Sequence, residues 1–278
     1  MSYAEFIDLD RYPFQVEGPE RDACIAQVRE DLAQDGCAVL RGFLTKTGVE
    51  ALVAEADATA DKAHKSFNRT NAYFTQDDPT LPSDHPVRQF FDRSNAFVPA
   101  DSFAKDGALR QIQNAPGFDG FIQACLQEPS FHRYADPLAD VIVNLAKEGP
   151  GFPWHFDTNN FTVTLAIQNA ESGGAFEYAA NIREEHENFE EVAKVLDGRS
   201  DKVTTLELQP GDLQLFRGRN SLHRVAPLSG STPRYVAILS YVEEPGMVAT
   251  PERAKQLYGR ALPIHYERAG LRADTFID

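Results

Sequence analysis

Trp154-His155-Phe156-Asp157, with Phe161-Thr162-Val163-Thr164-Leu165-Ala166-Ile167-Gln168 close behind it, is the stretch on which the fold turns. The second segment is dense in β-branched residues and reads as a strand. In extended backbone the side-chain period is two, so residues 155 and 157 project to the same side. One imidazole nitrogen and one carboxylate oxygen are thereby presented together. Working outward, residues 141–145, 174–178, 203–208, 212–216 and 234–242 share the strand-like texture. Gly149-Pro150-Gly151, Ser172-Gly173-Gly174, Pro210-Gly211-Asp212 and Ser229-Gly230-Ser231 supply the turns between them. Short strands with such turns predict a sandwich or barrel over roughly residues 136–245. Residues 184–197 interrupt it as a charged helix, whose run Glu184-Glu185-His186-Glu187 reads as a solvated face.

The flanks are helical. Residues 18–34 predict an amphipathic helix, opened by Gly18-Pro19 and broken at Asp35-Gly36. A buried strand is expected at 37–44, then a helix from 47 to about 65 with Thr45 as its N-cap. Residues 68–115 carry Pro79, Pro82, Pro86 and Pro99 among Asp, Asn and aromatic side chains. That composition predicts a long ordered loop of the kind that covers or binds a ligand. Helix resumes at 116–127. The expected layout is a single domain over 1–278. It has a helical lead-in and substrate loop at 1–135, the β core at 136–245 and a tail at 246–278.

The 278 residues are 42% hydrophobic and 25% charged, values that allow a sizeable core and exclude a disordered chain. Lys and Arg total 27 against 42 Asp and Glu, a net charge of −15. A nucleic-acid partner needs a basic footprint, so none is expected. Cys24, Cys37 and Cys125 are scattered with no CxxC spacing, against a disulfide framework or a structural zinc site and for a reducing compartment. The start of the chain has no signal-peptide pattern, and no run approaches the roughly 18 apolar residues that span a bilayer. A soluble, cytoplasmic protein is the expectation; nothing bears on its oligomeric state.

A second histidine turns the H-x-D pair into a ligand set. His223 follows the Pro210-Gly211-Asp212 turn and its strand. Two imidazoles and one carboxylate on one face of an octahedron are the ligands of non-heme Fe(II) oxygenases, leaving positions open for substrate atoms and dioxygen. Arg234 lies eleven residues beyond His223. The Ser229-Gly230-Ser231 turn is expected to fold the second strand back beside the first and aim Arg234 into the cavity of His223. A guanidinium inside a barrel needs an anion, and its planar fork suits a carboxylate. Singly, each feature has an ordinary alternative: a chance H-x-D, or an edge-strand ion pair. Their conjunction carries the reading.

This pattern resembles the Fe(II)/2-oxoglutarate-dependent dioxygenase superfamily, down to the Gly173-Gly174 turn and the Pro-Gly-Asp turn before the distal histidine. The resemblance implies a mainly β fold with flanking helices: a double-stranded β-helix, or distorted jelly roll, of cupin type. It implies Fe(II) on His155, Asp157 and His223, O2 as oxidant, 2-oxoglutarate with its distal carboxylate on Arg234, and Thr162 facing that pocket. Arg234-Tyr235-Val236 departs from the R-x-S of some relatives, which leaves the second partner of that carboxylate unassigned. The runs Asn71-Ala72-Tyr73-Phe74, Asp84-His85-Pro86-Val87-Arg88 and Phe161-Thr162-Val163-Thr164-Leu165 resemble a subgroup acting on free amino acids. That subgroup holds lysine-type radical halogenases and similar hydroxylases. Its halogenases replace the ligand carboxylate with a small residue, so Asp157 implies hydroxylation.

The implied substrate is a small polar molecule, a free amino acid with basic ones foremost. Candidate contacts are Asn71, Tyr73, Arg88, Arg93, Asn144, Trp154 and Tyr258. His265 and Tyr266 are read as a lid or as packing, and His64, His85, His132 and His186 as structural or surface residues. Three alternatives stay open. They are the same scaffold acting on a protein side chain or a carrier-bound amino acid, a non-catalytic cupin-like metal-binding module, and a zinc hydrolase using the same three ligands.

Overall fold

The strands follow from alternation. Along Val141–Ala146, the residues Val141, Val143 and Leu145 enter one apolar core, while Ile142 and Asn144 face a cavity on the other side. Along Arg234–Leu239, Tyr235, Ala237 and Leu239 join the same core while Arg234, Val236 and Ile238 face the cavity. Burial on both faces explains why such segments read as nearly continuous apolar runs. The structure, a computed structural model, describes residues 2–184 and 186–268.

The N-terminal half contributes β1 (Cys37–Leu40), β2 (His64–Thr70) and β3 (Phe91–Val98). Next come β4 (His132–Arg133), β5 (Val141–Ala146), β6 (Phe152–His155) and β7 (Thr162–Gln168). After these follow β8 (Ser172–Gly173), β9 (Phe176–Ala179), β10 (Val203–Leu206) and β11 (Leu213–Phe216). The last are β12 (Leu222–Val225), β13 (Leu228–Ser229), β14 (Arg234–Leu239) and β15 (Tyr241–Val242). A seven-stranded antiparallel sheet has the order β1-β11-β7-β14-β5-β3-β2, and a four-stranded one the order β10-β9-β12-β6. Both sheets line one cavity. This is the expected jelly-roll arrangement.

Helices Pro19–Asp35, Lys46–Thr59 and Phe118–Leu126 cover the outer face of the larger sheet, through Ile25, Val28, Leu32, Leu52, Phe118 and Phe121. The first ends at Gly36 in the left-handed conformation (φ 62°), which glycine adopts without strain. The second is capped by Thr45, whose Oγ1 accepts from the Gly48 amide at 3.1 Å.

Several boundaries differ from expectation. The helix expected to reach residue 65 ends at Thr59 with one 3-10 turn, Ala60–Lys62, because β2 begins at His64. The loop expected over 68–115 contains β3, which pairs with β2 from His64↔Phe97 to Thr70↔Phe91 and continues onto β5. The larger sheet therefore reaches well before residue 136. Strands β2 and β3 are polar because one is an edge and the other faces the cavity, so they lack the apolar signature. The inserted helix is shorter than expected, Phe189–Leu196; Glu184, His186 and Glu187 precede it, and Glu185 lies outside the described residues. Glu191 in it is buried and accepts from Ser200 Oγ at 2.6 Å, so its acidic side is not wholly solvated.

The expected tail is built in as far as residue 268, with 269–278 outside the described residues. Helices Pro251–Tyr258 and Pro263–Glu267 pack on the barrel, the second tied down by a wholly buried His265 Nε2–Asp136 Oδ2 contact of 2.9 Å. Tyr266 is exposed. Among the described residues no helix is long and apolar enough to cross a membrane.

Candidate metal centre and its cavity

His155 ends β6 and His223 sits in β12, and the two are register partners across the ladder. Cross-strand pairing brings their rings to 4.2 Å between centroids. Asp157 lies just past the end of β6, where its amide donates to Gly218 O at 3.0 Å. Its Oδ1 is 3.5 Å from His223 Nε2 and 3.9 Å from His155 Nε2. One ligand atom from each of the three lies within 4.8 Å of the others, a spacing one first-row ion can span.

The second ring nitrogens set the tautomers. His155 Nδ1 is 2.8 Å from Pro153 O, and His223 Nδ1 is 2.9 Å from Ser221 O. Carbonyls only accept, so each Nδ1 carries the proton and each Nε2 offers its lone pair inward. Burial, the neighbouring His223 and Arg93 hold the His155 pKa well below the usual histidine value. It is neutral, as a ligand must be. Burial works to raise the Asp157 carboxyl, but His223, His155 and the Thr162 hydroxyl outweigh it and hold it well below the usual carboxylate range. A neutral His155, an ionised Asp157 and the His223 Nε2 beside them make a donor set that fits a divalent cation.

Thr162 lines the cavity, yet its hydroxyl donates to Asp157 Oδ2. The structure thus gives Thr162 the work of orienting the acid, where a co-substrate contact was expected. Gly218 approaches the same oxygen: a Cβ there would stand 2.0 Å from Oδ2.

Arg234 enters the same cavity of about 220 Å³ as the three ligands. It arrives by another route than expected. The Ser229-Gly230-Ser231 turn does not fold β14 back on β12; it carries the chain to the facing sheet, where β14 pairs with β5 and β7. The guanidinium therefore approaches from the wall opposite His223. Arg234 is buried, and loss of water alone lowers its pKa to about 10, so it stays charged at neutral pH. No ion pair to Arg234 occurs among the described residues. Gly174 (φ 74°) lies against it, a Cβ there reaching 3.3 Å from Arg234 Cδ.

The family follows from comparison. The model of the family described as HalD, Halogenase D, matches residues 20–256. The chain belongs to the HalD family. A search of curated proteins finds no match. Among solved structures, the HalD-family chain resembles the non-heme α-ketoglutarate-dependent epimerase SnoN of nogalamycin biosynthesis, with 14% identity and a TM-score of 0.53 over 80% of this chain and 84% of that one. It also resembles a prolyl hydroxylase from Trichoplax adhaerens, with 15% identity and a TM-score of 0.54 over 82% and 95%. AviO1 from Streptomyces viridochromogenes Tue57 is similar at 15% identity and a TM-score of 0.54 over 79% and 95%. At these identities the likeness is one of fold.

The candidate substrate residues of this HalD-family chain divide. Arg93 and Asn144 line the cavity. Arg88 does not: it pairs with Asp77 at 2.9 Å and donates to Leu81 O, closing its own loop. Asn71 is wholly buried and organises the turn after β2. Its Oδ1 accepts from the Tyr73 and Thr75 amides at 3.0 and 3.1 Å, and its Nδ2 donates to Val87 O at 2.6 Å. Tyr73 and Trp154 pack in the cluster behind β6 and β12, with Arg224 over the Trp154 ring. Tyr258 packs with Phe97, Leu138 and Ile142. None of these four lines the cavity, and the structure spends their rings and the Asn71 amide on packing and backbone.

Sequence reasoning missed Phe74, Asn95, Gly218 and Arg253. Phe74 holds a left-handed backbone (φ 61°), costly for an aromatic residue, and its ring lies 5.7 Å from that of His155. Its place beside Asn71 was the available signal. Arg253 comes from the tail, where nothing local marks it.

Proposed function

We propose that this chain is an Fe(II)/2-oxoglutarate-dependent oxygenase that hydroxylates an unactivated C–H bond of a small polar substrate, a free amino acid or close relative. The observation carrying this is the convergence of His155, Asp157 and His223 on one side of a cavity whose opposite wall presents the buried Arg234.

The iron, when bound, supplies oxidative decarboxylation of 2-oxoglutarate to succinate and CO2, coupled to insertion of one oxygen atom of O2 into the C–H bond. The two imidazoles and Asp157 would hold it by one face, leaving the cavity side for co-substrate and dioxygen. Arg234 would take the distal carboxylate of 2-oxoglutarate through its planar fork and so fix that molecule's orientation toward the histidines. Thr162 keeps the free rotation of Asp157 from disturbing this geometry, and the Pro153 and Ser221 carbonyls do the same for the rings. Phe97, Phe152, Val225 and Ile238 exclude water around the reacting carbon. Their contribution is placement.

Asp157 supports hydroxylation over halide transfer, because a carboxylate occupies the position that the resembling halogenases give up. The cavity volume of about 220 Å³ favours a small molecule over a protein side chain presented on its backbone. The test is succinate release from 2-oxoglutarate with iron, over a panel of free amino acids and related acids, with mass detection of a product heavier by one oxygen. Release that is independent of iron, or absent from every substrate and uncoupled condition, overturns the reading.

A further inference from the structure

Arg93 is not used by the reaction as described. It is only 7% exposed, and its Nε and Nη1 are buried with no hydrogen-bond partner. A guanidinium stripped of water is costly unless an anion answers it. Burial lowers its pKa to about 9, which leaves it charged at neutral pH.

A second cation lines the same cavity: Arg253, from the helix Pro251–Tyr258. The Arg93 and Arg253 guanidinium carbons lie 4.5 and 5.2 Å from the centroid of the same ring, that of Phe74. Arg253 donates to Gln256 Oε1 at 3.1 Å. Neither arginine forms an ion pair with Asp or Glu among the described residues, and the one carboxylate charge acting on both is that of Asp157. Two like charges facing one cavity and one ring, in an acidic protein, are an arrangement built for an anion.

The wall beside them extends the pattern. Arg93, Asn95 and Phe97 project into the cavity from one face of β3 at the strand's two-residue period. Asn95 Oδ1 is buried without a donor. The wall thus offers cationic donors, then a lone acceptor, then an apolar ring.

Charge decides what fits. Arg93, Arg234, Arg253 and a divalent metal are positive; Asp157 and the two carboxylates of the co-substrate are negative. Two positive charges are left over. Asp157 is the sole Asp or Glu lining the cavity among the described residues, so an ammonium-bearing tail would be buried without a counter-ion.

We propose that the substrate is a small carboxylic acid of net negative charge with no basic tail, such as an acidic amino acid. Its carboxylate is held by Arg93 and Arg253, and a hydrogen-bond donor, such as an amino group, meets Asn95 Oδ1. The inference rests on the oxygenase reading above and turns it away from the basic amino acids that the family resemblance favoured.

The test is calorimetric binding, under strict anaerobiosis, to full-length protein loaded with Fe(II) and 2-oxoglutarate. The probes are L-glutamate, L-aspartate, glutarate, L-leucine and L-lysine. At least one of the acids should bind tenfold or more tightly than L-leucine, with L-lysine weakest. Arg93→Gln and Arg253→Gln should each weaken that acid at least tenfold while 2-oxoglutarate binding holds. Arg253→Glu should narrow or invert the order between the acid and L-lysine. Tighter binding of L-lysine, failure of every acid to bind, or acid binding indifferent to Arg253→Gln would overturn the proposal. Failure of 2-oxoglutarate to bind the wild-type protein would instead strike the oxygenase reading, so the two failures are distinguishable.

Discussion

Thr162 donates its hydroxyl to Oδ2 of Asp157, the oxygen not turned to the histidines. The acid is thereby held from β7 of the larger sheet while the imidazoles come from β6 and β12 of the smaller one. The metal centre is a seam between the two sheets, and its geometry depends on their spacing.

Removing that bond should loosen the metal while sparing the fold. For Thr162→Val we expect an approximately tenfold weaker Fe(II) affinity, the usual scale for a group that orients a metal ligand. Anaerobic equilibrium binding measures it. Thr162→Ser, which keeps the donor, should stay close to wild type.

Gly218 leaves room for the same carboxylate oxygen. A Cβ would stand 2.0 Å from Asp157 Oδ2, so Gly218→Ala must push the acid off its line. The expected result is a 10- to 100-fold loss of Fe(II) affinity, the range for disturbing a ligand's support. Near-wild-type affinity would mean that Asp157 is free to relocate.

Arg234 should govern the co-substrate and not the metal. In Arg234→Ala the 2-oxoglutarate concentration giving half-maximal binding should rise at least tenfold, with Fe(II) binding unchanged. Arg234→Lys should recover only part, since an ammonium lacks the planar fork. Calorimetric titration of each ligand separates the two effects; equal losses would mark Arg234 as structural.

Much of this centre was legible in the chain. His155, Asp157, His223 and Arg234 announced themselves by residue type and spacing, because ligand chemistry restricts which side chains serve and strand alternation restricts where they point. The β core around them was legible for the same reason. What stayed hidden came from long-range pairing. Strands β2 and β3 carry polar residues that face an edge or the cavity, so no apolar period marked them. Arg93 was picked out by its charge, but Arg253 reaches the same Phe74 ring only through packing of the helix Pro251–Tyr258. Asn71 was noticed as a candidate contact, and the structure turns its amide to the backbone of its own turn.

That reassignment has its own consequence. Asn71→Ala leaves two amides and a buried carbonyl in the turn before Phe74 without partners. Each such loss costs roughly 1–3 kcal/mol, so with three groups orphaned the variant should lose about 3 kcal/mol or more of stability by denaturant unfolding. An unchanged midpoint would contradict the turn-organising role.

The central claim is that His155, Asp157 and His223 hold one iron that takes 2-oxoglutarate as a ligand. The most direct measurement is an anaerobic titration of the protein with Fe(II) and then 2-oxoglutarate, followed by visible absorption, in wild type and His155→Ala. The account predicts one ion per chain and a weak charge-transfer band that develops only with 2-oxoglutarate and is lost in His155→Ala. A band that persists in that variant, or no band at all in a wild-type protein that binds both ligands, would contradict it.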